Sequence, residues 1–394
     1  MTSRNPRHLL PLALALCLPA AIAAVASTAT RPQLSSSQAG TYTTAKYMAQ
    51  AGTLGALSTD NWDPTGGVGS VASFTANYTV AADGTAQYKT VQAAITAATS
   101  AGGSTRKFIS VKAGTYREIV CVPAAAPPIT LYGLNATASN TVIVFNNANL
   151  TPKSSGSATH ACASNASATT VGTVASASVT VLAANFRARN LTISNDYMEG
   201  TYSGSNQSAV ALAARGDKAI FENLRLLGNQ DTLYVGASSA SVVMRAYFTG
   251  SFIQGDTDFI FGHGAAVFNA STIQYTAARK GSNSSYIFAP STRPGSSYGF
   301  LVIGSTLNAT GGASSNTIYL GRAWDESVGS LSNYVNGTSP NGQIVIRDSP
   351  LDGHIRKTAP WGPSTVSRPY CSSNCANSAN RFFEYNNSGA GNGG

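Results

Sequence analysis

The chain has 394 residues, enough to bury a large core in one or two domains. Charged residues make up only 10% of it, against roughly 25% in an ordinary soluble domain. Gly, Ser, Thr, Ala and Asn are abundant, which is typical of many turns and short strands. The net charge of +9 suits an anionic partner. No cluster of Lys and Arg alternates with aromatic residues, so we expect no nucleic-acid partner.

The first 26 residues are typical of a secretory signal peptide. Basic residues at 4–8 precede an apolar run at 9–24, and Ala24-Val25-Ala26 forms a small-x-small cleavage site. We therefore expect a secreted protein, extracellular or periplasmic. Lipid anchoring at Cys17 is disfavoured because the preceding leucine is too bulky for the usual lipoprotein site. No later apolar run approaches the roughly 18 residues of a spanning helix, so we expect no membrane span.

Four cysteines remain after the predicted signal peptide: Cys121, Cys162, Cys371 and Cys375. Export permits disulfides. The even count and the close spacing of the last two favour the pairs Cys121–Cys162 and Cys371–Cys375, although four cysteines allow three pairings. A zinc site is the alternative, but the spacing lacks the repeated CxxC of a zinc knuckle.

The remaining chain begins with a polar, weakly patterned N-terminal segment at 27–75. In the stretch YKTVQAAITAAT, Val91, Ile95 and Ala98 have helical spacing and predict a short helix. Beyond it, short β-type runs are separated by Asn, Gly and Ser instead of helical segments, which argues against alternating β-α-β units. These runs are FISV, ITLYG, TVIVF, VTVLAANF, LTIS, SAVALAA, TLYV, VVMRAYF, DFIFG, AVFNASTI, GFLVIGSTL, TIYLG and QIVIR.

A loose internal repeat helps to distinguish between the possible all-β folds. The stretches FRARNLTISN, IFENLRLLGN, YFTGSFIQGD, VFNASTIQYT and LVIGSTLNAT each end on an apolar residue before a turn: Ile193, Leu226, Ile253, Ile273 and Leu307. These residues are 33, 27, 20 and 34 positions apart. Irregular steps of about one solenoid coil favour a parallel β-helix over a β-sandwich, which stays open as the alternative.

Three polar motifs interrupt the apolar runs. GNQDTLYVG contains Asp231, QGDTDFIFG contains Asp256 and Asp258, and YLGRAWDES contains Arg322 and Trp324. Stacked coils would bring these motifs together, and two close carboxylates titrate apart, with a neighbouring arginine deciding which one stays ionised. Such a pair supplies an acid and a base, or an acid and a nucleophile. The plainer interpretation is a set of solvated carboxylates at strand ends.

Taken in order, the motifs VAADGTAQYKTVQAAI, GTYRE, SAVAL, GNQDTLYV, GDTDFIFG and YLGRAW resemble those of the pectin methylesterases. The resemblance runs from about residue 76 to the C-terminus, and the C-terminal third is most similar to the bacterial pectinesterase B branch. It implies a catalytic domain at 76–394 with an all-β fold. This fold is a single-stranded right-handed parallel β-helix, the pectin lyase-like solenoid, with a short N-terminal helical cap.

The resemblance also implies catalytic roles. Asp258 matches the nucleophilic carboxylate, Asp231 the general acid and then base, Arg322 the partner of the nucleophile, and Gln230 an oxyanion donor. The implied reaction removes C6 methyl esters from galacturonate units of pectin or oligogalacturonides and releases methanol through an aspartyl acyl-enzyme. It needs neither a metal nor a cofactor, and we expect a monomer.

Substrate-binding positions follow in the same way. Trp324 matches a sugar-ring platform, and Tyr234 and Phe261 fall at cleft positions. The family's second glutamine would fall 22 residues before Gln230, where this chain has Ser208, with Gln207 one place earlier. Gln207 could serve only if a bulge re-aims it; otherwise Ser208 or a backbone N–H takes the role.

Other functions remain as alternatives. A polygalacturonase-like glycoside hydrolase would share the β-helix and the substrate, and the tripeptide GHG at 262–264 fits it superficially. A serine esterase would use Ser297 in GSSYG, which satisfies GxSxG, but that motif requires a strand-turn-helix elbow. A non-catalytic pectin-binding β-helix would bind the polysaccharide without releasing methanol.

Overall fold

The structure is a computed structural model that describes Met1 and residues 25–154, 160–163, 167–204, 206–279, 285–375 and 379–393. Nearly all of the predicted signal peptide, with Cys17, lies outside these residues. Within the described part, no helix combines the length and the apolar character needed to cross a membrane.

Strands dominate the described residues. The α-helices are α1 (Ser36–Ala39), α2 (Thr44–Ala49) and α3 (Val91–Ala101), and 3₁₀ turns cover Val71–Ser73, Ala138–Asn140, Val174–Ser176 and Leu331–Asn333. The strands are β1 (Gln50–Thr53), β2 (Ala56–Thr59), β3 (Tyr78–Val80), β4 (Lys107–Val111), β5 (Gly114–Arg117), β6 (Val120–Val122), β7 (Ile129–Gly133), β8 (Thr141–Phe145), β9 (Val179–Val181), β10 (Arg187–Arg189), β11 (Thr192–Asn195), β12 (Leu212–Ala214), β13 (Ala219–Glu222), β14 (Arg225–Leu227), β15 (Leu233–Val235), β16 (Arg245–Thr249), β17 (Phe252–Gly255), β18 (Ile260–Gly262), β19 (Ala265–Asn269), β20 (Thr272–Tyr275), β21 (Tyr286–Pro290), β22 (Phe300–Ile303), β23 (Thr306–Ala309), β24 (Tyr319–Gly321), β25 (Gln343–Arg347) and β26 (Arg381–Tyr385).

Three long parallel sheets form the walls of a solenoid. The first has the order β26-β25-β22-β19-β16-β13-β10-β7-β4-β3, the second β23-β20-β17-β14-β11-β8-β5, and the third β24-β21-β18-β15-β12-β9-β6. From β4 to β24 the chain visits the first, second and third sheets in turn, so each coil adds one strand to every wall. The predicted parallel β-helix is therefore confirmed, and the β-sandwich is excluded.

The internal repeat corresponds to a stack of core residues in the second sheet. Ile193 lies opposite Leu226, Leu226 opposite Ile253, Ile253 opposite Ile273, and Ile273 opposite Leu307. All five are buried. Each coil thus places its repeat residue directly on that of the coil before, which keeps the register of the stack fixed even though the loops differ in length.

Some of the apolar runs that we predicted as single strands are divided in the structure by sharp corners. AVFNASTI separates into β19 and β20 at Ala270, and GFLVIGSTL separates into β22 and β23 at Gly304, where the φ angles are +46° and +57°. Asn190 and Asn223 occupy the same corner on other coils, also with positive φ. Asn and Gly tolerate this left-handed backbone best, which suits them to these corners.

The predicted helix is confirmed as α3, whose residues Val91, Ile95 and Ala98 join the core of the β-helix. Glu118 holds the start of the helix, because its carboxylate accepts the backbone N–H groups of Val91 and Gln92, both at 2.8 Å. The glutamate of the GTYRE motif therefore caps the helix that closes one end of the solenoid.

The N-terminal segment packs along the outer face of the first sheet. Its residues Tyr47 and Met48 are fully buried against a row of outward-facing side chains: Ile220, Tyr247, Val267, Leu301 and Val345. Buried arginines fasten it, since Arg31 forms a bidentate pair with Glu384 at 2.9 and 2.7 Å and Arg245 pairs with Asp60. The weak sequence pattern of this segment gave no indication of this packing.

Both predicted disulfides are present, joining Cys121 to Cys162 and Cys371 to Cys375. His160 lies beside the first bridge, and its imidazole with the two sulfur atoms is a potential metal-binding group. Because those sulfurs are bonded to each other, they cannot act as thiolate ligands, and the zinc alternative fails here.

Replacing Cys121 and Cys162 together by alanine should lower the free energy of unfolding by about 4 kcal/mol in the chain-entropy model, because the bridge spans 41 residues. Urea denaturation measures this change. The matched double replacement of Cys371 and Cys375, which are only four residues apart, should have a smaller effect. A larger loss from the second pair would contradict the expectation.

Candidate active site

Two aspartates occupy equivalent corners on consecutive coils, where the chain passes from the second sheet to the third. Asp231 and Asp258 have φ angles of +65° and +47°. The corners stack in register, since Gln230 lies opposite Thr257 and the Asp231 N–H donates to the Thr257 carbonyl at 3.0 Å. Left-handed backbone at a residue other than glycine is costly and often marks a functional position. It also bends the chain between Gln230 and Asp231, whose side chains a regular strand would direct to opposite faces.

Both carboxylates face a cavity of about 430 Å³ on the outside of the third sheet. Its lining joins polar groups from several coils with apolar side chains: Thr173, Val174, Asn206, Ser208, Gln230, Asp231, Asp258, Phe261, Ala289, Arg322, Trp324 and Thr365. Seven of the nine residues predicted for the site are therefore brought together in one cavity with convergent polar groups, an arrangement typical of a binding or catalytic site.

Arg322 pairs with only one of the two aspartates. Its Nε and Nη2 donate to the two carboxylate oxygens of Asp258 at 3.0 and 2.6 Å, a bidentate geometry. The guanidinium also lies over the Tyr286 ring, 4.2 Å from its centroid. Burial alone would lower the pKa of Arg322, but attraction to Asp258 raises it, so the cation persists. The pair holds the Asp258 carboxylate in one orientation.

Asp231 has the opposite electrostatic environment. Burial and, to a smaller extent, the neighbouring Asp258 charge raise its carboxyl pKa to about 8. A hydrogen bond with Ser208 and the positive charge of Arg322 oppose the shift but do not cancel it. At neutral pH the site therefore combines a protonated Asp231 with an arginine-paired Asp258, the division of roles that acid and nucleophile require.

The structure distinguishes Asp258 from its neighbour Asp256, which the motif alone could not. Asp256 is fully buried and forms a bidentate pair with Arg279 at 2.7 and 2.6 Å. It does not line the cavity. Removing one member of a buried ion pair destabilises a protein strongly, so Asp256 is expected to support the fold near the site.

Gln230, Ser208 and Asn206 form a polar cluster at the cavity wall. The Gln230 amide donates to Asn206 Oδ1 and Ser208 Oγ at 3.3 and 3.4 Å. The Ser208 hydroxyl donates to the same asparagine oxygen at 2.5 Å. Sequence reasoning missed Asn206, because counting back a fixed number of residues leads to Ser208.

Comparison with known proteins identifies the family of this chain. The pectinesterase family model matches residues 77–335. The chain belongs to the pectinesterase family. A pectinesterase from Ralstonia nicotianae is 67% identical over 371 residues, which cover 94% of this chain and 93% of that protein. Pectinesterase B of Dickeya dadantii is 35% identical over 372 residues, which cover 87% and 84%.

A solved structure shares the fold. The rice weevil pectin methyl esterase matches with a TM-score of 0.80 and 38% identity, covering 93% of this chain and 98% of that chain. The resemblance inferred from the motifs, including the likeness to pectinesterase B, is confirmed.

Gln207, one of the two residues predicted in place of the family's second glutamine, does not reach the cavity. Its Oε1 accepts from the Tyr197 hydroxyl and the Gly200 N–H at 2.6 and 2.8 Å. Its Nε2 donates to the carbonyls of Tyr202 and Gly204 at 3.1 and 3.0 Å. The amide is thus engaged in holding the loop at 197–204, and the alternative residue, Ser208, lines the cavity instead.

Two of the three aromatic residues predicted for the cleft form the floor of the cavity. Phe261 and Trp324 line the cavity and meet edge to face with ring centroids 5.5 Å apart. Tyr234 packs against Phe261 at 5.2 Å but is only 3% exposed and does not line the cavity. Its position indicates that it supports the Phe261 ring from the coil before.

The serine-esterase alternative is not supported. GSSYG leads into the strand β22, not into a helix, so the elbow that GxSxG requires is missing. The Ser297 N–H donates to Gln50 of the N-terminal segment at 3.1 Å. His263, in the GHG tripeptide considered for the polygalacturonase alternative, has its Nδ1 3.0 Å from Glu326 Oε2.

Asp231→Asn should stabilise the protein more as the pH rises from about 4 to about 8. The unfolded chain releases the Asp231 proton near pH 4, whereas the folded chain keeps it to about pH 8. Wild-type stability therefore falls through this window, and the neutral amide removes that loss. Urea unfolding of both proteins at pH 4, 6 and 8.5 measures the difference. A difference independent of pH would contradict the assigned proton.

Proposed function

We propose that the protein is a carboxylic ester hydrolase that removes C6 methyl esters from galacturonate units of pectin or oligogalacturonides. The observation that carries this proposal is the asymmetry of the stacked carboxylates: Arg322 pairs with Asp258, while Asp231 is buried with a raised pKa. Its family membership and its likeness to a pectin methyl esterase over nearly the full chain support the substrate.

In the first half-reaction, an Asp258 oxygen attacks the C6 carbonyl carbon of the methyl ester. The carbonyl electrons move to oxygen, and the resulting oxyanion accepts hydrogen bonds from amide N–H groups such as that of Gln230. When the intermediate collapses, the bond to the methoxy oxygen breaks. Asp231 donates its proton to that oxygen, so methanol leaves and an acyl-enzyme on Asp258 remains.

In the second half-reaction, the now ionised Asp231 removes a proton from water. The hydroxide formed attacks the same carbonyl carbon, and collapse expels the Asp258 carboxylate. Arg322 receives that carboxylate in its original bidentate geometry, and Asp231 is again protonated. The products are methanol and a galacturonic acid unit, with one water consumed.

The aromatic floor suits a sugar substrate. Trp324 and Phe261 offer apolar ring faces at the cavity, and such faces pack against the C–H groups of a pyranose while polar groups above select its orientation. The chain's net charge of +9 favours approach of a polyanion such as partly de-esterified pectin. We further propose that the protein is exported through its N-terminal signal peptide and acts as a monomer.

The test is methanol release from methyl-esterified pectin, with reducing ends measured in the same samples. We expect methanol without new reducing ends. New reducing ends without methanol would indicate a polygalacturonase, and pectin binding with neither product would indicate a non-catalytic β-helix.

Asp258→Asn should lower kcat for methanol release by at least about 10³-fold, because the amide cannot act as the nucleophile. Its fold should persist, as judged by circular dichroism. Asp196→Asn is the control, since Asp196 lies on the surface in an exposed pair with Arg117. Release by Asp258→Asn at the wild-type rate would contradict the acyl-enzyme mechanism.

A further inference from the structure

We propose that Asn206 supplies the second amide donor of the oxyanion site, in place of the glutamine expected from the family. This inference rests on the proposed ester hydrolysis and names a further catalytic residue for it.

The orientation of the Asn206 amide follows from its donors. The backbone N–H of Ser208, which can only donate, lies 3.3 Å from Asn206 Oδ1. The Ser208 hydroxyl and the Gln230 amide approach the same oxygen at 2.5 and 3.3 Å. Three donors therefore converge on Oδ1, and the Nδ2 group must point away from them.

The Nδ2 group of Asn206 lies on a side chain at the active-site cavity. Asn206 is exposed and lines the same cavity as Asp231 and Asp258. Among the residues that the structure describes, none accepts a hydrogen bond from Asn206 Nδ2. The two N–H bonds of this cavity-lining amide thus have no acceptor among the described residues, and a substrate oxygen can supply one.

The neighbouring candidates are already engaged. Both ends of the Gln207 amide are bonded to the loop at 197–204. Ser208 has a single hydroxyl proton, and two acceptors compete for it: Asn206 Oδ1 at 2.5 Å and the Asp231 carboxyl. Ser208 is therefore less suited than Asn206 to serve as the donor. Gln230 is held only by hydrogen bonds of 3.3 and 3.4 Å, long enough that the amide can turn to an oxyanion at little cost.

The amides of Gln230 and Asn206 would both donate to the oxyanion that forms during ester hydrolysis. Negative charge develops on the C6 carbonyl oxygen only as Asp258 attacks, so a donor aimed there strengthens in the transition state. Loss of one such donor typically lowers kcat by about 10²–10³-fold. The effect falls on kcat and leaves KM nearly unchanged, because ground-state binding does not use the charge.

Asn206→Ala and Asn206→Asp separate this role from a structural one. Both remove Nδ2, but aspartate keeps the oxygen that accepts the Ser208 N–H. We expect kcat for methanol release, measured at each variant's optimal pH, to fall about 10²–10³-fold in both, with KM within about threefold of wild type. Asn135→Ala is the matched control: Asn135 Oδ1 accepts the N–H two residues onward at 2.7 Å, but Asn135 does not line the cavity. Its kcat should equal that of wild type.

Two results would overturn the assignment while leaving the proposed function intact. One is near-normal kcat in Asn206→Ala. The other is near-normal kcat in Asn206→Asp with an impaired alanine variant, which would show that Asn206 only braces the turn. If the wild-type protein itself released no methanol, the proposed function would fail and this assignment with it.

Discussion

The left-handed backbone at one corner of the β-helix is the constraint on which the site depends. Strands on neighbouring coils lie about 4.8 Å apart, so two aspartates at the same corner of consecutive coils cannot avoid each other's charge. Asp231 and Asp258 are in this position. Burial raises the pKa of Asp231, the Asp258 charge adds to the increase, and the guanidinium of Arg322 is paired with Asp258, so Asp231 keeps a proton. A rigid stack of coils thus places two neighbouring carboxyl groups in different electrostatic environments.

Much of the fold could be predicted because a solenoid repeats its pattern along the chain. Apolar residues near the end of each repeat, such as Ile193 and Leu226, stack in register. Their spacing along the sequence was enough to identify them, without knowledge of contacts between distant residues. The three motifs with Asp231, Asp258 and Arg322 also converge as expected, because their spacing matches the coils that carry them. The disulfides followed from an even cysteine count in a chain expected to be exported.

What the sequence could not show depends on contacts between distant segments and on single backbone angles. The N-terminal segment has no clear periodicity, and its packing is specified by buried pairs such as Arg31 with Glu384, 353 residues apart. Asp256 and Asp258 are equivalent in an ideal strand, and the positive φ at Asp258 separates them. Counting residues led to Gln207 and Ser208 and missed Asn206, because a loop adjusts the spacing just before the third sheet.

The protonation state of Asp231, on which the proposed division of roles rests, can be observed directly. Carbon-13 NMR of aspartate carboxyl groups, recorded from pH 4 to 10, would follow each titration, and Asp231→Asn would assign the relevant signal. We expect a signal from a carboxyl that is protonated at pH 7 and titrates near pH 8, and we expect this signal to be absent from the variant. An Asp231 signal that is already ionised at pH 6 would contradict it.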